Sequence, residues 1–140
     1  PKWQIQAGYG QSKPRDQNGS RLNPDSVPER SFKLFTAYHF TPEAPSGWTI
    51  GAGVRWQSET HTTPATLRIP NPAAKARAAA NSRQKAYAVA DIMARYRFNP
   101  RAELSLNVDN LFNKHYRTQP DRHSYGALRT VNAAFTYRFK

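Results

Sequence analysis

The 140-residue chain contains no cysteine, which excludes an intrachain disulfide framework and any thiolate metal site. It also lacks an uninterrupted apolar run approaching the roughly 20 residues that a membrane-crossing helix needs. Acidic residues are scarce, 9 against 21 Lys and Arg, so the formal charge is +12 and the pI near 10.5. Hydrophobic residues are few as well, 38% at a mean hydropathy of −0.83, and they are dispersed rather than gathered into blocks. That is thin material for a two-sided core. Disorder is excluded by what is present, since 12% of the residues are aromatic and regularly patterned, a composition that disordered chains lack. A cationic surplus of this size speaks to partners with phosphate or carboxylate groups and not to fold. Nucleic acid, anionic lipid headgroups and lipopolysaccharide all qualify.

What the chain does have is alternation. Trp3, Ile5, Ala7 and Tyr9 interleave with Gln4, Gln6, Gly8 and Gly10, the period-2 signature of a strand. Ser31 to Phe40 repeats it, with Phe32, Leu34, Tyr38 and Phe40 on the apolar face and Phe35 as the exception. From Trp48 to Ser58, Trp48, Ile50, Ala52, Val54 and Trp56 alternate with Thr49, Gly51, Gly53, Arg55 and Gln57. Ala86 to Phe98 places Ala88, Ala90, Ile92, Ala94, Tyr96 and Phe98 opposite Tyr87, Val89, Asp91, Met93, Arg95 and Arg97. Leu104, Leu106 and Val108 then alternate with Ser105, Asn107 and Asp109, and Val131 to Phe139 closes the pattern.

Six strands follow, joined in the order long, short, long, short, long. Thr41 to Gly47 and Asn99-Pro100-Arg101 are the short reversals, rich in the turn residues Pro, Gly and Asn. Ser12 to Glu29, Glu59 to about Lys85 and roughly Asn110 to Ala127 are the long loops. Within the second, NPAAKARAAANSRQK could form a short helix, but Asn71-Pro72 before it and Asn81-Ser82 inside it count against one.

Alternating segments of about ten residues, aromatic at both ends, with short turns on one side and long loops on the other, describe a transmembrane β-barrel. About 10 residues at roughly 3.4 Å each, tilted by about 40°, span close to 25 Å, the height of the apolar band in such barrels. The expected fold is all-β, an antiparallel up-and-down barrel with Trp3, Phe40, Trp48, Phe98, Tyr137 and Phe139 at the short-turn edge. Tyr9, Phe32 and Trp56 belong nearer the loop edge, where amphipathic rings suit the headgroup level. Single-chain bacterial barrels start at eight strands, and open edges in hydrocarbon would leave backbone groups unpaired. Residues 1–140 are therefore expected to be the C-terminal part of a larger barrel domain, which would also explain the start at Pro1 without a signal peptide.

The stretch LSLNVDNLFNKHY (Leu104 to Tyr116), followed by YGALRTVNAAFTYRF (Tyr125 to Phe139), resembles the C-terminal signature of TonB-dependent outer-membrane receptors, and within them the ferric-siderophore receptors. The resemblance implies that the chain forms the last six strands of a 22-stranded barrel plugged by an N-terminal domain. It implies an outer-membrane receptor, not an enzyme, that binds a ferric siderophore at the cell surface and imports it with energy from the TonB–ExbB–ExbD complex, reached through that missing N-terminal part. No cofactor is expected, since the iron would travel as a chelate. The remaining implied partners are lipopolysaccharide, outer-membrane lipid and the barrel-assembly machinery, which reads the terminal strand. Leu128 stands where many relatives have Pro, and Lys140 follows the Phe that usually ends the chain.

Candidate ligand-binding residues are Arg55 and Gln57, at the outer end of the third strand, and the loop residues Arg117, His123 and Tyr125. Aromatic and Arg side chains suit a flat, anionic or oxygen-rich iron complex. Arg95, Arg97 and Arg138, nearer the short-turn edge, are expected to meet carboxylates of neighbouring strands or of a plug. Asp109, Asn110 and Asn113 are expected to shape the loop entry by bonding its backbone, and Tyr116 to anchor at the membrane interface. The four histidines share no spacing suited to a metal site. The alternative function is a soluble basic β-domain that binds nucleic acid through its cations and interleaved aromatics.

Overall fold

The computed structural model describes residues 2–13, 28–61, 68–81, 83–119 and 124–139. Six long strands form one sheet: β1 (Trp3–Gln11), β2 (Arg30–His39), β3 (Gly47–Gln57), β6 (Tyr87–Asn99), β7 (Ala102–Asp109) and β10 (Thr130–Tyr137). Smaller elements decorate the loops: β4 (Thr60–His61), α1 (Pro72–Asn81), β5 (Arg83–Gln84), β8 (Arg117–Gln119) and β9 (Ser124–Tyr125). The main sheet runs β1-β2-β3-β6-β7-β10, every pair antiparallel, which is the up-and-down order read from the connection lengths.

Register keeps the alternation in phase from strand to strand. Ala7 lies opposite Leu34, Leu34 opposite Val54, and Val54 opposite Ala90. Ile92 faces Val108, and Val108 faces Val131. A one-residue slip at any pair would have put apolar residues on the other face. One face is thus apolar across all six strands apart from Gln11, Arg30 and Thr36, and the other carries Gln, Ser, Thr, Asn and the remaining charged residues. Phe35, the exception in the pattern, sits on the polar face opposite Gly53.

Neither face is covered. The buried hydrophobic residues among those described are four small ones, Ala37, Ala79, Val89 and Ala102, while Trp3, Ile5, Val131 and Phe135 are each more than 60% exposed. An apolar surface of this extent is not compatible with isolation in water and marks an interaction with lipid or protein. The conventional core is absent because the sequence places its large side chains on a single face.

The short turns close as their composition requires. Asn99 Oδ1 accepts from the backbone N–H groups of Arg101 (2.9 Å) and Ala102 (3.0 Å), bracketing Pro100. In the other turn, Thr41 Oγ1 donates to Ser46 O (3.0 Å) and Ala44 N donates to Thr41 O (3.2 Å).

The helix is where the sequence reading is corrected. Asn71 and Pro72 do not oppose α1 but start it. Asn71 Oδ1 accepts from Ala73 N (2.9 Å) and Ala74 N (3.2 Å), and Pro72 occupies the first helical position, where a missing N–H costs nothing. At the far end α1 runs through Asn81.

Candidate functional site

The short-turn edge carries the aromatic side chains on the apolar face. Trp3 meets Tyr38 edge-on with ring centroids 6.4 Å apart, and Tyr38 meets Phe40 at 5.0 Å. Trp48 packs on Tyr96 and Tyr96 on Phe98, each at 4.8 Å, and Tyr137 pairs with Phe139 at 4.8 Å. Tyr38 and Tyr96 join rings that the sequence reading assigned to Trp3, Phe40, Trp48, Phe98, Tyr137 and Phe139 alone. Their position in the alternation was the available signal. At the other end of the strands, Tyr9 lies opposite Phe32 and Phe32 opposite Trp56, a second aromatic row.

Two charged pairs cross between strands on the polar face. Arg55 grips Asp91 with two bonds, Nε to Oδ2 at 3.1 Å and Nη2 to Oδ1 at 3.2 Å. Nearer the short turns, Arg95 lies 3.5 Å from Glu103, and Arg97 donates through Nη2 to the carbonyl oxygen of Ala44 at 2.9 Å. Arg95 and Arg55 thus meet carboxylates of neighbouring strands, while Arg97 meets a turn carbonyl.

The signature segment after β7 is held by its asparagines. Asn110 is 3% exposed and adopts a left-handed backbone (φ 53°), a conformation Asn tolerates better than most residues. Its amide nitrogen donates to Lys114 O (2.9 Å) and Ala127 O (3.0 Å), and its amide oxygen accepts from Lys114 N (2.7 Å). Its backbone N–H donates to Asp91 Oδ1 (2.9 Å), which ties the loop to the Arg55 pair. Asn113, also left-handed (φ 52°), accepts from Arg129 N at 2.9 Å. These two side chains close the loop entry onto the start of β10.

Tyr116 departs from the expectation of an interfacial anchor. Its ring stacks on Tyr87 with centroids 4.4 Å apart and planes at 26°, and Tyr87 belongs to the polar face. Gly126 makes this position available, because a Cβ there would lie 2.0 Å from the Tyr116 ring. Gly126 of the signature is therefore matched to Tyr116 by packing: the chain must pass against that ring with no side chain between.

Of the candidate ligand residues, Arg55 and Gln57 line a recess of about 180 Å³ at the outer end of the polar face, together with Ser31, Lys33, Tyr87 and Tyr116. Lys33, Tyr87 and Tyr116 were not among the candidates, although alternation already put Lys33 and Tyr87 on that face. Arg117 and Tyr125 lie on the β8–β9 hairpin rather than in the recess. The Arg117 guanidinium stands 5.8 Å from the centre of the Tyr125 ring, and its Nη1 donates to Asn81 O at 2.8 Å, at the C-terminal end of α1. The backbone N–H of Arg117 donates to Gln84 Oε1 (2.8 Å), so this residue joins the second long loop to the third. His123 lies outside the described residues. Among the described residues no three His, Cys, Asp or Glu side chains converge to hold a metal ion.

Residues 2–111 match the family model described as TonB dependent receptor-like, beta-barrel. The Pseudomonas putida ferric-pyoverdine BN7/BN8 receptor is 34% identical over 138 residues, which is 98% of this chain and 15% of that protein. The Escherichia coli K12 catecholate siderophore receptor Fiu is 29% identical over 131 residues, 89% of this chain and 15% of that protein. Among solved structures, the Pseudomonas aeruginosa ferripyoverdine receptor bound to ferripyoverdine superposes with a TM-score of 0.75 at 29% identity, covering 98% of this chain and 17% of that one. The chain thus spans about 15% of the length of these curated relatives.

Proposed function

The chain belongs to the TonB-dependent receptor family of outer-membrane β-barrels, and on that premise we propose that it supplies the last six strands of a plugged barrel of 22 strands that imports a ferric siderophore. The observation that carries this reading is the in-phase register. It builds a continuous apolar face for lipid and a polar face, with its cations and hydroxyls, for the interior. The relatives named for ferric pyoverdine and for catecholates support an iron chelate as cargo.

In this reading the Arg55–Gln57 recess and the Arg117–Tyr125 hairpin lie at the cell-surface end, where the chelate arrives. Iron enters already chelated, so no resident cofactor is needed. The TonB–ExbB–ExbD complex acts on the plug, outside residues 1–140. Lipopolysaccharide meets the long-loop end and the barrel-assembly machinery meets β10.

A nucleic-acid platform finds no support in the register. Stacking and phosphate binding need aromatics and cations on one face. Here the aromatic rows share their face with Arg30 alone among the strand cations, and Lys33, Arg55, Arg95 and Arg97 lie on the other.

The test is uptake of ⁵⁵Fe by iron-starved cells in which the full-length gene is deleted and restored. Ferripyoverdine and a ferric catecholate are offered separately, with and without a functional TonB. Restoration of TonB-dependent uptake of either chelate is expected. Uptake of both chelates unchanged by the deletion would overturn the siderophore reading.

A further inference from the structure

Lys33 and Arg55 are directly opposite one another on β2 and β3, both on the polar face. Opposed residues on adjacent strands have Cβ atoms about 4.5–5.5 Å apart, and like charges so placed destabilise a sheet. Asp91, opposite Gly53 one step along, takes up Arg55 through two bonds and also receives Asn110 N–H. Its charge is committed. Among the described residues the Lys33 side chain has neither an ion-pair nor a hydrogen-bond partner.

The same two cations border two recesses. The outer one, about 180 Å³, adds Ser31, Gln57 and the stacked Tyr87 and Tyr116. The deeper one, about 410 Å³, adds Gln6, Gly8, Phe35, Gly53 and Asp91. Both therefore meet at one cationic step in the wall, two and three residues inward from the outer ends of β3 and β2. Hydroxyl and amide donors surround it, and Phe35 gives it an apolar floor.

We propose that Lys33 and Arg55 form an oxyanion site in the barrel wall, which takes a carboxylate or a comparable anionic oxygen group borne by the incoming chelate. An oxyanion between the two cations removes their mutual repulsion and supplies the partner Lys33 lacks. Charge-assisted bonds of this kind are about twice as strong as neutral ones. The two-pronged grip of Asp91 holds the Arg55 guanidinium in place, which makes Asp91 a positioning residue. The assignment of a diffusible source rests on the import reading, since that reading puts this end of the wall at the mouth. A carboxylate from the plug is the other source of the same chemistry.

The experiment uses the full-length receptor purified in a non-ionic detergent. Citrate and inorganic phosphate are titrated against sodium chloride at equal ionic strength, with thermal stability and tyrosine and tryptophan fluorescence recorded. Saturable citrate binding in the wild type, on the order of tenfold weaker in Lys33→Gln and in Arg55→Gln, is the expected result. Ser105→Gln, on the same face two strands away, serves as the control that leaves citrate affinity unchanged. If the wild type shows no citrate effect but Lys33→Gln lowers its melting temperature, the plug supplies the oxyanion and the diffusible source is wrong. If Lys33→Gln changes neither citrate affinity nor melting temperature, there is no oxyanion site. Neither readout involves iron uptake, so failure of the import reading leaves this result standing, and the reverse.

Discussion

The two faces of this sheet obey different rules. On the apolar face, position in the alternation decides everything. Apolar residues lie opposite one another over most of the register, Thr36 between Ile5 and Ala52 being the mid-sheet exception, and the aromatic rows at the ends are distinguished. On the polar face identity matters pair by pair. Arg55 needs Asp91, Arg95 lies against Glu103, and Gly51 must be small because a Cβ there would come within 3.0 Å of Met93 Cε and 3.2 Å of the Phe35 ring and the Thr36 carbonyl oxygen. A face that meets a fluid solvent is written as a pattern. A face that meets specific partners is written residue by residue.

The contrast can be broken most severely at mid-strand. Ala52, at the middle of β3 and opposite Thr36 and Ile92, faces the apolar side. An arginine there sits near the bilayer midplane and is expected to destabilise the folded receptor by about 2–4 kcal/mol. Asn107→Arg, on the polar face of β7, is expected to cost well under that. Urea unfolding of the full-length receptor in lipid vesicles gives both values. Equal costs would erase the distinction between the faces.

Comparable in size, but confined to one loop, is the effect of Asn110→Ala. It removes three side-chain hydrogen bonds at about 0.5–1.5 kcal/mol each and places a Cβ-bearing residue without a polar side chain in a left-handed conformation. A loss of about 2–4 kcal/mol in local stability follows. Hydrogen exchange should rise at Lys114, whose amide loses its Asn110 Oδ1 acceptor, while the centre of β3 stays protected. The damage belongs to one loop rather than to a face.

Smallest is Asn71→Ala, which removes the N-terminal cap of α1 and costs about 1 kcal/mol. Faster exchange confined to α1 is the expected sign, and Asn71→Asp should restore most of the protection. An effect that reached the six-stranded sheet would contradict the picture of a helix carried on a loop.

The difference between the faces also explains what the sequence disclosed. Strand positions were legible because period-2 alternation is local: the expected strand from Trp3 to Gly10 ends within one residue of β1, and that from Trp48 to Ser58 within one residue of β3 at each end. The aromatic rows followed from the same count. The Arg55–Asp91 pair was not legible, since it depends on the register between β3 and β6. Nor was the Tyr116 stack, because a loop residue has no alternation to betray its side, and Gly126 explains it only once the ring is seen. The helix was underrated because Asn-Pro is a turn signal and a helix start at once, and only the hydrogen bonds of Asn71 decide between them.

One face of this sheet lies in lipid and the other lines a wet interior. A nitroxide scan of β7 in the full-length receptor reconstituted in vesicles, with accessibility to oxygen and to a water-soluble nickel chelate measured at each position, separates the two environments. Labels at Leu104, Leu106 and Val108 should favour oxygen, and those at Glu103, Ser105 and Asn107 should favour nickel, a period of two along the strand. Nickel accessibility on both faces, or no periodicity at all, would mean that neither face of β7 lies in lipid.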